Sequence, residues 1–208
     1  MSWLCFRCSR KPLSPPVLEY EVHYRLGQMM NKKLIAFVGS KGSGRNTLAW
    51  RFKNLEQEGP SNEQISSLFK RHVFIDLTTR PSVHSRGQLM LDIRIVPPEL
   101  NAEGCPFFSR SGEIQNCAAL VFCFDIADTK SSDDFYVWMN KARHSLDRMP
   151  PFLIVGNKVD QRSFRITISY NWAKGLAELF GAREYLECSA KYNDRVDRVL
   201  DTILNMVL

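Results

Sequence analysis

Short apolar runs alternate along this chain with segments whose apolar residues recur every three or four positions. Residues 34–38 (LIAFV) form a continuous apolar run that stops at Gly39, the pattern of a strand buried on both faces. A helix is expected over residues 47–56. Residues 89–96 (LMLDIRIV) read as a strand, halted by Pro97 and Pro98. Residues 119–125 (ALVFCFD) form another buried strand, followed by a helix over 131–145 with Ser and Asp at its start. Residues 152–155 (FLIV) predict a strand ending at Gly156, 172–180 a helix, 185–187 a short strand and 194–207 a last helix. In that helix Val196, Val199, Leu200, Ile203, Leu204 and Val207 line one face, as a helix lying on a sheet requires. This alternation predicts an α/β domain with a mostly parallel sheet of five or six strands and flanking helices. Such sheets bind ligands beyond the carboxyl ends of their strands, so the loops after the strands carry the candidate chemistry.

Composition narrows the picture without changing it. The chain has 208 residues, 44% of them hydrophobic and 24% charged, a globular mixture that needs no disulfide or metal to fold. The longest apolar run is far too short to span a bilayer. The net charge is +6, but residues 1–33 hold six basic groups against Glu19 and Glu21, so most of the excess sits in an N-terminal arm. The body is therefore not expected to read nucleic acid. Pro12, Pro15 and Pro16 keep that arm extended, and two regions are expected: a flexible extension over 1–33 and a domain over 34–208. The cysteines lack framework spacing and no secretory signal is evident, which predicts reduced thiols and a cytoplasmic location.

The first loop reads Gly39, Ser40, Lys41, Gly42, Ser43, Gly44, Arg45, Asn46, Thr47. Its glycines let backbone N–H groups turn inward, and the following helix adds the positive end of its dipole: an anion cradle suited to a diphosphate. A phosphate loop of the form G-x-x-x-x-G-K-[ST] places a lysine on the terminal phosphates and a hydroxyl on Mg²⁺. Arg45 and Asn46 stand in those two places here. The second loop is Gly156-Asn157-Lys158-Val159-Asp160, directly after the FLIV strand, and the third is Glu187-Cys188-Ser189-Ala190-Lys191, directly after a short strand.

With these motifs in this order, the chain resembles the Ras superfamily of small GTPases over residues 33–208. The resemblance implies a P-loop NTPase-type G domain and guanine nucleotide, GTP or GDP, as ligand. In that family the Asn-Lys-x-Asp carboxylate, here Asp160, accepts from the base N1–H and exocyclic amine, while the stem of Lys158 packs over the ring. A backbone N–H of Ser189, Ala190 and Lys191 meets guanine O6. A carboxylate with two acceptors matches two adjacent donors that adenine does not present. Phe124-Asp125-Ile126, with Ser131, Ser132 and Phe135, looks like the exit of the fourth family strand, and Trp138 like a tryptophan common in the next helix. The spacing from Asn157 to Ser189 leaves no room for the extra helix of Rho proteins, so the body looks more like Ras or Rab.

The phosphate half departs from the family. Arg45 keeps a charge on a longer, planar fork, and Asn46 replaces a compact hydroxyl with an amide oxygen. Mg²⁺ demands tight octahedral geometry, so its binding is expected to be weak. No Asp-x-x-Gly follows the strand at residues 89–96. Counting back from Phe124 places Glu99 at the aspartate, and counting forward from Leu91 places Ile95 there. The first switch should offer a threonine, and Thr78 or Thr79 is the candidate, although residues 77–81 also read as a strand end and turn. Catalytic residues are not assigned. Three functions are open: an atypical GTP-binding protein with weak or absent hydrolysis, signalling through effector or regulatory proteins as a monomer; a pseudo-GTPase interaction module without nucleotide; and an active GTPase using Glu99 for metal and Glu103 for water.

The chain ends Asn205-Met-Val-Leu208 and has Ser2, so neither prenylation nor N-myristoylation is expected. Cys5 and Cys8, beside Trp3, Leu4 and Phe6 and among basic residues, are candidates for S-acylation and peripheral membrane contact; an unmodified arm fits them equally. The histidines show no metal or triad spacing.

Overall fold

The computed structural model describes residues 31–55, 72–77, 89–96, 115–162 and 167–208, all within the compact unit Asn31–Leu208. Among them run β1 (Asn31–Val38), α1 (Arg45–Lys53), β2 (His72–Asp76), β3 (Leu89–Ile95), β4 (Ala119–Asp125), α2 (Thr129–Ser145), β5 (Phe152–Asn157), α3 (Tyr170–Phe180), β6 (Tyr185–Glu187) and α4 (Val196–Val207). They form an α/β domain on a six-stranded sheet of order β2-β3-β1-β4-β5-β6. All pairings are parallel except β2 with β3. Among the described residues no helix is long and apolar enough to cross a membrane.

The alternation of side chains along buried strands divides the core. Ile35 and Phe37 of β1 and Val121 and Cys123 of β4 pack with α1 and α4 on one face. Ala36, Val38, Leu120, Phe122 and Phe124 pack with α2 and α3 on the other. The expected stripe on the last helix is buried at Val196, Val199, Leu200, Ile203 and Leu204.

Caps set the helix starts. The Asp128 side chain accepts from Lys130 N–H at 3.1 Å, so α2 opens before the serines of the expected helix. Ser169 Oγ accepts from Trp172 N–H at 3.2 Å and opens α3, which closes on Gly181 at φ 74°. β1 begins at Asn31, three positions before the apolar run, because Asn31, Lys32 and Lys33 pair with Leu89, Met90 and Leu91. There the Lys32 ammonium lies 3.2 Å from the buried Asp92 carboxylate. Cys5, Cys8, Thr78, Thr79, Glu99 and Glu103 lie outside the described residues.

Candidate functional site

Parallel strands β1, β4, β5 and β6 point the same way, so the loops that follow them meet at one edge of the sheet. The loop after β1 passes close to β4. Gly39 has φ 143°, and a Cβ there would stand 2.0 Å from Cys123 O, so only glycine fits. Gly44, at φ 84°, is required for a second reason: a Cβ would stand 2.2 Å from Asn157 Nδ2.

That contact leads to the centre of the site. Asn157 is the last residue of β5, and its buried side chain is hydrogen-bonded at both the amide nitrogen and the oxygen. Nδ2 donates to Ser43 O at 2.9 Å, while Oδ1 accepts from Ala190 N–H at 3.0 Å and Lys158 N–H at 2.8 Å. The Cys188 thiol lies on the same oxygen at 3.7 Å. One amide thus ties the glycine loop to the loop after β6. Cys123 adds to the tie by donating its thiol to Ser43 O at 3.4 Å. Burial pushes that thiol up to about 12, so it stays protonated and able to donate.

Asp160 sits in the turn after β5, where it is half-buried. Its Oδ1 accepts from Ser189 Oγ at 2.6 Å and its Oδ2 from Gln161 Nε2 at 2.9 Å. Burial alone would raise its pKa, but these hydrogen bonds and the Lys191 charge hold it below the ordinary 3.8. The carboxylate is ionised at neutral pH, and each oxygen keeps acceptor capacity for a further donor. Lys158, at φ 67°, turns its ammonium onto Asp125 Oδ2 at 2.7 Å. Arg162 joins the turn to β6: it donates to Thr167 Oγ1 and Ile168 O, both at 3.0 Å, and pairs with the buried Glu187, which also accepts from Tyr185 Oη at 2.8 Å. The Ser189 loop is closed by reciprocal backbone bonds with Asp194, at 3.0 and 3.1 Å.

The glycine-loop end, the expected phosphate side, is built differently. Arg45 is buried, and its guanidinium turns back into the protein, donating to Val96 O at the exit of β3 and to Ser40 O at 3.2 Å. Ser40 Oγ in turn reaches Asp134 Oδ2 on α2 at 2.6 Å. Ser43 Oγ is buried without a hydrogen-bond partner. Ile95 and Val96, where β3 leaves the sheet, are both apolar and buried. Lys41 and Gly42 are exposed, and Asn46 and Thr47 lie half-buried at the start of α1.

Magnesium does not fit the described part of this end. The ion wants compact oxygen ligands, preferably anionic. Here a guanidinium, not a carboxylate, lies between the glycine loop and the β3 exit, and Asn46 offers a neutral amide. Among the described residues no cluster of His, Cys, Asp and Glu could hold a metal ion.

Comparison with known proteins agrees with the geometry. A sequence model of the Ras family matches residues 108–208. The chain is 25% identical over 183 residues to the Ypt/Rab-type GTPase ypt7 of Pyricularia oryzae, covering 84% of this chain and 81% of that protein. It is 28% identical over 145 residues to the human Rho-related GTP-binding protein RhoD, covering 62% and 69%. Against the GTP-binding protein rho5 of Schizosaccharomyces pombe it is 32% identical over 95 residues, covering 40% of this chain and about half, 47%, of that relative.

These similarities support a Ras-superfamily small GTPase, the family model covering just under half of the chain. Within this domain, Asn157, Lys158, Asp160, Ser189, Ala190 and Lys191 come together, and Asn157 joins them to Ser43 and Gly44. Arg45 is near the loop but spends its fork on Val96 O and Ser40 O. Motif reading passes over Arg51 and Arg162. Arg51 leaves one trace in the sequence: a cation three positions after Leu48, on the face of α1 that packs on the sheet.

Proposed function

We propose that this chain is a guanine-nucleotide-binding protein that holds its ligand far better than it turns it over, and that it acts through effector or regulatory proteins. The observation that supports the reading is Asp160, an ionised carboxylate fixed by Ser189 and Gln161 at the rim of the sheet. Two acceptors held at that spot suit the N1–H and amino group of guanine. The nearby glycine loop, with Gly39, Gly42 and Gly44 all at positive φ, suits a diphosphate. Weak hydrolysis follows from the other end. Phosphoryl transfer depends on placed cations and a positioned water, whereas the Arg45 fork is bonded inward and Ile95 and Val96 offer no carboxylate. Magnesium therefore contributes little to affinity in this reading.

The test is Asp160→Asn, which exchanges two acceptors for one acceptor and one donor. GDP affinity should fall about 100-fold and xanthosine diphosphate should become the preferred ligand. Unchanged GDP affinity would make Asp160 a surface residue and end the proposal. Wild-type protein should keep bound GDP through chelator treatment.

One observation favours the pseudo-GTPase reading: Ser189 N–H and Ala190 N–H already donate to Asp194 O and Asn157 Oδ1, both at 3.0 Å. A pocket so self-satisfied gains less from a base. Calorimetric titration of nucleotide-free protein with millimolar GDP separates the two, since the interaction module gives no heat of binding.

A further inference from the structure

Arg51 lies on α1, the helix that follows the glycine loop, yet its head reaches the loop after β6. The side chain is 1% exposed, as buried as the leucines around it. Its Nε donates to Ala190 O at 3.1 Å and its Nη2 to Lys191 O at 2.8 Å. A buried guanidinium is costly to desolvate, so this placement needs the partners it has.

The two carbonyls belong to consecutive peptide planes, and no peptide bond among the described residues is cis. In a trans peptide the C=O and the following N–H point in opposite directions within one plane. Holding Ala190 O toward α1 therefore aims Lys191 N–H away from α1. Holding Lys191 O likewise aims Tyr192 N–H, which donates to Ser189 Oγ at 3.3 Å. That hydroxyl is the one that donates to Asp160. Of the amides in this loop, Ser189 N–H and Ala190 N–H are already used. Among the described residues, Lys191 N–H donates to no protein oxygen.

We propose that Arg51 is the specificity-determining positioning residue for the purine 6-position: its fork sets the peptide plane from which Lys191 N–H reads O6. This rests on the guanine-binding reading above. Asp160 reads N1–H and the 2-amino group, and Arg51, through Lys191, controls the remaining polar edge. The division predicts that the two kinds of discrimination separate on mutation.

The experiment compares GDP, 6-thio-GDP and IDP on wild type and Arg51→Gln by calorimetric titration. Sulfur at position 6 is a weak acceptor, and IDP lacks only the 2-amino group. Wild type should prefer GDP over 6-thio-GDP about tenfold, the scale of one neutral hydrogen bond. In Arg51→Gln that preference should shrink to within about twofold while the preference for GDP over IDP is kept. Arg51→Lys, with one point donor in place of a fork, should lie between, and it serves if the glutamine variant fails to fold. Equal losses for all three ligands, with both preferences intact, would overturn the proposal and leave Arg51 a merely structural residue. A wild type that does not distinguish GDP from 6-thio-GDP would overturn it too. Wild type that binds none of the three defeats the guanine reading itself.

Discussion

The proposed base side and the proposed phosphate side of this edge share the glycine loop but satisfy their polar groups in opposite ways. On the base side a single amide, Asn157, serves two loops, and Asp160 is held by two side chains with acceptor capacity left over. There the spare acceptor capacity of Asp160 is what a ligand can use. On the phosphate side the cation is folded inward onto carbonyls, and a buried hydroxyl, Ser43 Oγ, stays unmatched. Recognition needs fixed groups, while phosphoryl transfer also needs charges placed where new charge develops. In the proposed reading one end of the site therefore keeps groups suited to selecting a ligand, while the Arg45 fork at the other is bonded within the protein.

The contrast breaks most severely if its shared tie is cut. Asn157→Ala leaves Ala190 N–H and Lys158 N–H without their acceptor and Ser43 O with the Cys123 thiol. Each orphaned buried group costs about 1–3 kcal/mol, so urea unfolding should show a loss of roughly 3–5 kcal/mol. A loss below about 1 kcal/mol would mean that other contacts hold the loops.

A smaller and more informative change is Arg45→Lys. An ammonium cannot bridge Val96 O and Ser40 O as the fork does, so about 1–2 kcal/mol of stability should go. The charge released toward the cradle should tighten GTP by about tenfold, as calorimetric titration would read, with magnesium still contributing little because Asn46 is unchanged. A stable variant with unaltered GTP affinity would show that the inward fork does not divide the two ends.

The smallest effect is on acid stability. The Asp160 carboxyl is held below its ordinary 3.8 in the folded protein, so its contribution is present above that value. It is lost as pH falls through the lowered native value. Denaturation midpoints measured from about pH 5 to pH 3 should drop less for Asp160→Asn than for wild type. Parallel curves would show that Ser189 and Gln161 do not hold the charge.

Legibility in the sequence follows the same divide. The base side is readable because Asn157 and Asp160 follow an unbroken apolar strand, so their spacing alone puts them at the sheet edge. The inward turn of Arg45 is not readable, because a long flexible stem reaches either a ligand or a carbonyl from the same backbone position. Arg51 is hidden by the rule that helix stripes are apolar; its partners are carbonyls 139 and 140 positions away in the chain. β2 escapes notice for a third reason. It is short, antiparallel and at the edge, so its alternation over His72–Asp76 lacks both the length and the continuous burial that mark the central strands. The register with β3, Val73 beside Ile93, is set by pairing that no local pattern announces.

The place of Asn157 in β5 constrains how this chain can change in length. Successive residues of a strand face opposite sides, so one residue inserted or deleted between Phe152 and Gly156 would swing the carboxamide to the wrong side of the sheet. The same edit would exchange the two hydrophobic faces, one meeting α1 and α4 and the other α2 and α3. Length variants of this protein are therefore to be sought in its surface connections and not in that strand, however neutral a single added valine looks on paper.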